Sequence, residues 1–369
     1  MIRVLHVLGG LDRGGAETMV MNLYRCIDRS TIQFDFIIHT PTKRAYYDEI
    51  IAMGGRIYHF PAFNGTNMFH LRDLWNEFFL NHPEYKVLHS HVRSYASLYL
   101  PIAKKYGVKT IIHSHSTSNG KGITSFVKRI MQYPLRYQAD YLMACSNDAG
   151  RWLYGAKACQ KTNYFFLPNA IDVEKYRFSQ TDATLYRKML GLEGKFVIGH
   201  VGRFHEAKNH IFLLDVFAKI CDSQSDAMLL LVGDGELRDV IITRIKSLSL
   251  EDRVILVGSR SDVPQLLNAM DVFMFPSKWE GLPVTVVEAQ ASGLPCIISE
   301  KITRDVDISF LVKRLPVNDV NEWTKAVFTL PSPSERVDVI SEIKKKGFDV
   351  KDTAARVTKF YCSIGGNND

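Results

Sequence analysis

Glu280 and Glu288 are separated by seven residues, and Gly281, Leu282 and Pro283 directly follow the first of them. The surrounding stretch reads as strand, loop, helix, strand. Asp271–Phe275 is a short apolar run suited to a buried parallel strand, ended by Pro276 and Ser277. Pro283 stands where a first helical turn tolerates a residue without an N–H, Gly293 ends the helix, and Pro295–Ile298 opens the next strand. Gly281 and Leu282 therefore bring backbone N–H groups to a helix N-terminus, a natural seat for phosphate. Carboxylates accept hydroxyl protons but repel phosphate. A phosphate seat bracketed by two of them suits a ligand that carries both phosphates and sugar hydroxyls, as a nucleotide sugar does.

A second constellation lies upstream. Phe196–Val201 is an apolar strand, and the loop Gly202–His210 carries Arg203 and Lys208 before a helix spaced through Ile211, Leu214, Phe217 and Ile220. Surface cations are usually just solvated, but two on one loop beyond a strand C-terminus, beside a glycine, point to anion binding. Leu229–Val232 followed by Gly233-Asp234-Gly235 gives another strand and glycine turn. The chain opens in the same manner: strand Ile2–Leu8, a loop containing Gly9, Gly10, Gly14 and Gly15, then a helix through Met19, Val20, Leu23 and Ile27. These glycines do not spell G-x-G-x-x-G and no acidic residue closes the next strand, which argues against dinucleotide binding. A tight turn is the plain alternative.

Further strands are expected at Phe34–His39, Arg56–His59, Val87–His91, Thr110–His113, Tyr141–Ala144, Tyr164–Leu167 and Val254–Val257. Helices are expected at Arg44–Met53, Leu71–Asn81, Ala96–Tyr106, Ile123–Tyr137, Asn147–Tyr154 and Asp262–Met270. Alternation of this kind makes parallel sheets with ligands beyond their strand C-termini. Histidines sit at two such ends, His89 with His91 and His113 with His115. Pairs at i, i+2 could ligate a metal, but no acidic or thiol third ligand accompanies them, so no metal is expected. Hydrogen bonding to sugar hydroxyls is one alternative, and simple ordering of a loop is another.

At 369 residues the chain is long enough for two domains, and 23% charged with 46% hydrophobic residues is ordinary for a soluble globular protein. The net charge of +7 favours anionic partners without naming one. Six scattered cysteines without C-x-x-C fit reduced thiols in a cytoplasmic protein, and neither a signal peptide nor a membrane span is evident. Between Glu84 and Asp140 every charged side chain is basic: Lys86, Arg93, Lys104, Lys105, Lys109, Lys121, Lys128, Arg129 and Arg136. Within that stretch Ile123, Phe126, Val127, Ile130 and Met131 share one side of a helix. It could lie on an anionic bilayer or simply pack with its other face solvated. No motif of a nucleic-acid binder accompanies the charge.

The context Pro-Ser-x-x-Glu-Gly-Leu-Pro-x-x-x-x-Glu-Ala resembles the E-x7-E region of retaining GT-B glycosyltransferases of family 4, especially capsular and exopolysaccharide members. Gly202-Arg203-x-x-x-x-Lys208 resembles the family's diphosphate clamp, and Leu167-Pro-Asn-Ala-Ile-Asp172 its inter-domain hinge, with Ala170 where glycine is usual. The resemblance implies two Rossmann-like doubly wound α/β domains facing each other across a cleft. The first is an acceptor-side domain, residues 1–170 with a C-terminal helix at about 350–369 crossing back to it. The second is a nucleotide-sugar domain, residues 171–349. It implies transfer from a nucleoside-diphosphate sugar, UDP expected, to a glycan or polyprenyl-diphosphate-linked acceptor, with no metal or other cofactor and with peripheral contact at the inner membrane surface.

By the same resemblance Arg203, Lys208 and the Gly281-Leu282 backbone hold the diphosphate, Glu280 the donor sugar and Glu288 the ribose. Gly233 lies beneath the nucleotide, the base falls near the loop after Gly258, Gly14 and Gly15 face the donor phosphates and acceptor, and His115 or His113 lies against the transferred sugar. The usual glycine-rich stretch with Pro-Glu after the E-x7-E helix is absent. Asp305-Val306-Asp307 matches the D-x-D metal motif of another glycosyltransferase architecture but adjoins no phosphate loop. A sugar-nucleotide 2-epimerase of the same architecture, or a non-catalytic nucleotide-sugar binder, would share much of this pattern.

Overall fold

The computed structural model describes residues 1–12, 14–118, 122–330 and 336–366, leaving aside the side chains of Ile123 and Thr124; Lys121 of the basic stretch lies outside the described residues, as does the Ile123 side chain. The chain divides into two units, Met1–Ala170 with Val350–Asp369, and Ile171–Asp349.

The first unit is built on seven strands: β1 Ile2–Leu8, β2 Ile32–Ile38, β3 Ile57–His59, β4 Tyr85–Ser90, β5 Lys109–Ser114, β6 Tyr141–Ala144 and β7 Tyr164–Phe166. They pair in parallel in the order β3-β2-β1-β4-β5-β6-β7. All seven residues of β2 are buried, as a strand covered on both faces requires. Helices α1 Gly15–Cys26, α2 Tyr47–Ala52, α3 Met68–Asn81, α4 Ala96–Lys105, α5 Ile123–Gln132, α6 Leu135–Gln138 and α7 Asn147–Tyr154 alternate with the strands. The single helix expected over 123–137 is broken: Pro134, which cannot donate a backbone hydrogen bond, caps α6 and separates it from α5. The C-terminal helix Val350–Gly365 packs against α1, β1 and β4, burying Val350, Ala354, Val357 and Tyr361 in this unit's core.

The second unit carries β8 Phe196–Val201, β9 Ala227–Val232, β10 Val254–Gly258, β11 Val272–Phe275, β12 Cys296–Ser299 and β13 Val312–Leu315, in the parallel order β10-β9-β8-β11-β12-β13. Its helices are α8 Gln180–Met189, α9 His210–Cys221, α10 Arg238–Ser247, α11 Val263–Asn268, α12 Val284–Ala291, α13 Val320–Phe328 and α14 Ile340–Lys345. The polar stretch 176–192 contains α8, which packs on α11. Its Ser179 side chain caps the helix by accepting from the Asp182 N–H, a signal that polarity alone had hidden. In both sheets the order reverses beside the first strand, between β1 and β4 and between β8 and β11. Such switch points open a crevice beyond the strand C-termini.

Candidate active site

The second unit's switch point gathers most of the residues singled out in the sequence. The loop after β8 carries Arg203 and Lys208, and the loop after β11 carries Glu280 to Leu282. The two are laced together: the Lys278 N–H donates to the Ala207 carbonyl at 2.7 Å and Asn209 Nδ2 to the Pro276 carbonyl at 3.3 Å. Lys208 ends a short 3-10 turn, Glu206–Lys208, and Asn209 turns the chain in the left-handed region. The Lys208 ammonium donates to Glu280 Oε1 at 2.7 Å and lies 4.6 Å over the Phe275 ring. Both partners of that pair are mostly enclosed, whereas Arg203 is 71% exposed and pairs with Glu236 at 3.1 Å.

Pro283 caps α12 and the helix proper begins at Val284, one residue later than the sequence reading had it. The N–H groups that open the first turn are therefore those of Val284 and Thr285, and Gly281 and Leu282 form the approach to them. No side chain caps this end. Glu288 follows one turn further along. Burial pushes its carboxyl up to about 7, against the smaller opposing effect of the Tyr176 hydroxyl, which donates to Oε1 at 2.8 Å. Tyr176 carried no sequence signal, since it lies more than a hundred residues from its partner.

Beneath this loop pair the backbone leaves no room for side chains. A Cβ on Gly233, at φ +143°, would stand 2.0 Å from the Gly202 carbonyl oxygen, and one on Gly235 would stand 2.5 Å from that of Phe204. Gly258 closes β10 at φ +72°, and its carbonyl accepts from the Gly233 N–H at 2.9 Å. The D-x-D stretch is engaged internally: Asp307 pairs with Arg314 at 2.8 Å, and the Thr303 hydroxyl donates to Asp305 at 2.9 Å.

The first unit's switch point is lined by imidazoles. His89 and His113 lie inside β4 and β5, with His91 and His115 just beyond, and His6 of β1 completes a cluster of five. His6 Nδ1 meets His91 Nε2 at 3.1 Å, and His91 Nδ1 meets His115 Nε2 at 2.8 Å. His89 joins the Tyr361 hydroxyl at 2.6 Å to His113 Nδ1 at 3.3 Å. Burial, followed by repulsion between neighbouring rings, holds His89, His91 and His113 far below the usual imidazole range. Burial likewise brings His6 and His115 to about 3, so the cluster is neutral at physiological pH.

The fold gives each histidine pair a third imidazole, with no acidic or thiol ligand in either group among the described residues. Two triplets, His6-His89-His91 and His91-His113-His115, each bring three ring nitrogens within 4.8 Å of one another. Sequence reasoning missed His6, whose one visible mark is polarity inside an apolar strand. His113 is fully enclosed and His115 partly exposed. Gly14 caps α1, and a Cβ there would stand 2.3 Å from the carboxylate of Glu17, which burial shifts upward. The anion facing this helix start is thus the chain's own side chain.

A basic loop and an uncapped helix start thus meet at a doubly wound switch point, an arrangement that suits an anionic ligand. The chain belongs to glycosyltransferase family 4 and has the GT-B fold. Residues 13–175 match the model of glycosyltransferase family 4, and residues 182–304 that of glycosyl transferases group 1. It is 36% identical over 370 residues to EpsF of Bacillus subtilis (strain 168), named for a glycosyltransferase, covering 97% of this chain and 96% of that one. It is 30% identical over 266 residues, 67% of each chain, to the Escherichia coli UDP-Gal:alpha-D-GlcNAc-diphosphoundecaprenol alpha-1,3-galactosyltransferase. The crystal structure of Anabaena HepE with UDP and glucose matches at TM-score 0.78 and 19% identity, over 99% of this chain and 100% of that one. No helix among the described residues is long and apolar enough to cross a membrane.

Proposed function

We propose that this glycosyltransferase moves a hexose, with retention and without a metal ion, from a UDP-sugar to a glycan carried on polyprenyl diphosphate, in surface polysaccharide synthesis at the cytoplasmic membrane face. One observation carries the reading: two cations and an uncapped helix start converge at the β8–β11 switch point with two carboxylates beside them.

As the bond from sugar to phosphate breaks, negative charge grows on the departing diphosphate. Lys208, Arg203 and the first N–H groups of α12 are the fixed positive groups that would meet it. Glu280, held by Lys208, takes donor-sugar hydroxyls, so the ion pair spans the bond that breaks. Glu288 accepts from the ribose hydroxyls, and Gly233 lets the diphosphate lie close to backbone. His115 offers a neutral hydrogen-bonding ring to the transferred sugar, and His113 orders the cluster behind it. Gly14 and Gly15 let the β1–α1 loop approach a ligand with backbone alone. No carboxylate is assigned as a covalent nucleophile; the leaving diphosphate takes the acceptor proton and the acceptor attacks on the same face. The UDP-Gal donor and diphosphoundecaprenol acceptor in the Escherichia coli relative's name support both halves of the reading.

The test is incubation of labelled UDP-sugars with polyprenyl-diphosphate-linked acceptors, with and without chelator, and assignment of the product's anomeric configuration. Transfer with retention that survives chelation is expected. Loss of turnover restored by manganese, an inverted product, or donor epimerised without acceptor would each overturn it.

A further inference from the structure

Of the five imidazoles at the first unit's switch point, the sugar contact proposed above uses one, His115. Ring nitrogens behind it are left idle. His113 Nε2 and His115 Nδ1 are buried without a hydrogen bond of ordinary geometry, and the Leu167 backbone and Asn169 side chain lie beside these rings without closing one. A neutral imidazole keeps one nitrogen lone pair, and a lone pair held away from water with nothing to accept from is a cost. A first-row transition-metal ion is a partner that several such nitrogens can share.

Between the two triplets, His91-His113-His115 is the one an ion can enter. Every ring of His6-His89-His91 is enclosed, whereas His115 is partly exposed just beyond β5. One nitrogen from each ring of the open triplet lies within 4.8 Å of the others, and His91 Nδ1 and His115 Nε2 are 2.8 Å apart. Zinc–nitrogen bonds of about 2.0–2.1 Å at tetrahedral angles put ligand nitrogens about 3.3 Å apart, inside the span these rings already cover. His91 and His113 are also held from behind, as metal-ligating imidazoles usually are. His91 Nε2 meets His6 Nδ1 at 3.1 Å, and His113 Nδ1 meets His89 Nε2 at 3.3 Å, with Tyr361 beyond. Each ring can therefore keep its N–H on the nitrogen turned toward its neighbour, leaving His91 Nδ1 and His113 Nε2 as lone pairs.

The donor set is nitrogen alone, without carboxylate or thiolate. It suits zinc and its first-row neighbours and not magnesium, which takes oxygen. Three protein ligands leave the fourth tetrahedral position to water. The Arg93 guanidinium acts against a cation here, since its charge reaches His115. It favours an ion that comes and goes over a permanent structural centre. We infer that His91, His113 and His115 form a zinc site, and that an ion there inhibits transfer by taking His115 from the donor sugar. The inhibition rests on the sugar contact proposed for His115; the site itself does not.

The experiment uses the full chain stripped with chelator, titrated with Zn²⁺ against a fluorescent zinc indicator and with Co²⁺ in the visible range. Saturable zinc binding and the intense absorption of tetrahedral cobalt are expected, with Mg²⁺ silent. His115→Ala should weaken zinc by about tenfold or more, and Arg93→Gln should tighten it. His70→Ala, at an exposed histidine on α3, should match the parent. Melting temperatures of the variants control for folding. No saturable binding, the weak absorption of octahedral cobalt, or equal zinc affinity in His115→Ala and the parent would overturn the site. Transfer from the UDP-sugar should fall as zinc occupies the chain and return on chelation. A transfer rate unchanged at zinc saturation would overturn the inhibition and strike the His115 sugar contact, while the binding and cobalt results still decide the site.

Discussion

Replacing Glu288 by Gln keeps the Tyr176 contact and removes only the ionisation. The folded-state carboxyl sits at about 7 against an ordinary 4.5, because burial disfavours the anion. A raised pKa means that the folded state holds the proton more tightly than the unfolded one. The associated stability is present below pH 4.5 and is lost as pH rises toward 7, after which the loss is constant. At 1.36 kcal/mol per unit, the native chain is about 1 kcal/mol worse off than the Gln variant at pH 5 and about 3 kcal/mol at pH 8. In a unit of this size the larger figure corresponds to about 6 °C or more in melting temperature. Urea denaturation of both proteins at pH 5, 6, 7 and 8 measures the gap, and its change with pH cancels any fixed packing difference between the side chains. A gap that stays constant within about 0.5 kcal/mol would refute the assignment of a proton to Glu288. The same titration predicts that UDP affinity of the native chain rises through pH 7 while that of Glu288→Gln does not, readable by calorimetry.

Lys208→Ala should lower turnover on the order of a hundredfold or more, since it removes a preorganised cationic donor from the site, and steady-state transfer assays measure it. Arg203→Ala, at an exposed site, should weaken UDP binding with little change in melting temperature; unchanged affinity would remove Arg203 from the site. Gly233→Ala forces a methyl to within 2.0 Å of a carbonyl at a positive φ, so a loss of about 2 kcal/mol or more in urea unfolding is expected. Tyr361→Phe strips the hydroxyl from His89 and should cost about 1–3 kcal/mol, with slower-exchanging β4 amides becoming measurably faster in hydrogen exchange.

The sequence by itself determined the alternation of strands and helices, because buried parallel strands are continuous apolar runs and the glycine turns after them are local features. It also determined the loop carrying Arg203 and Lys208 and the Glu280–Glu288 helix, whose residues are near neighbours along the chain. Tertiary structure alone decided which side chains meet. Lys208 found Glu280 across the β8–β11 switch, Tyr176 found Glu288, and His6 and Tyr361 entered the histidine cluster from the two ends of the first unit. Those pairings are set by strand order, which spacing along a chain does not encode. Protonation was likewise invisible in sequence: Glu288 reads as an ordinary carboxylate until the packing around it removes the water that would keep it charged.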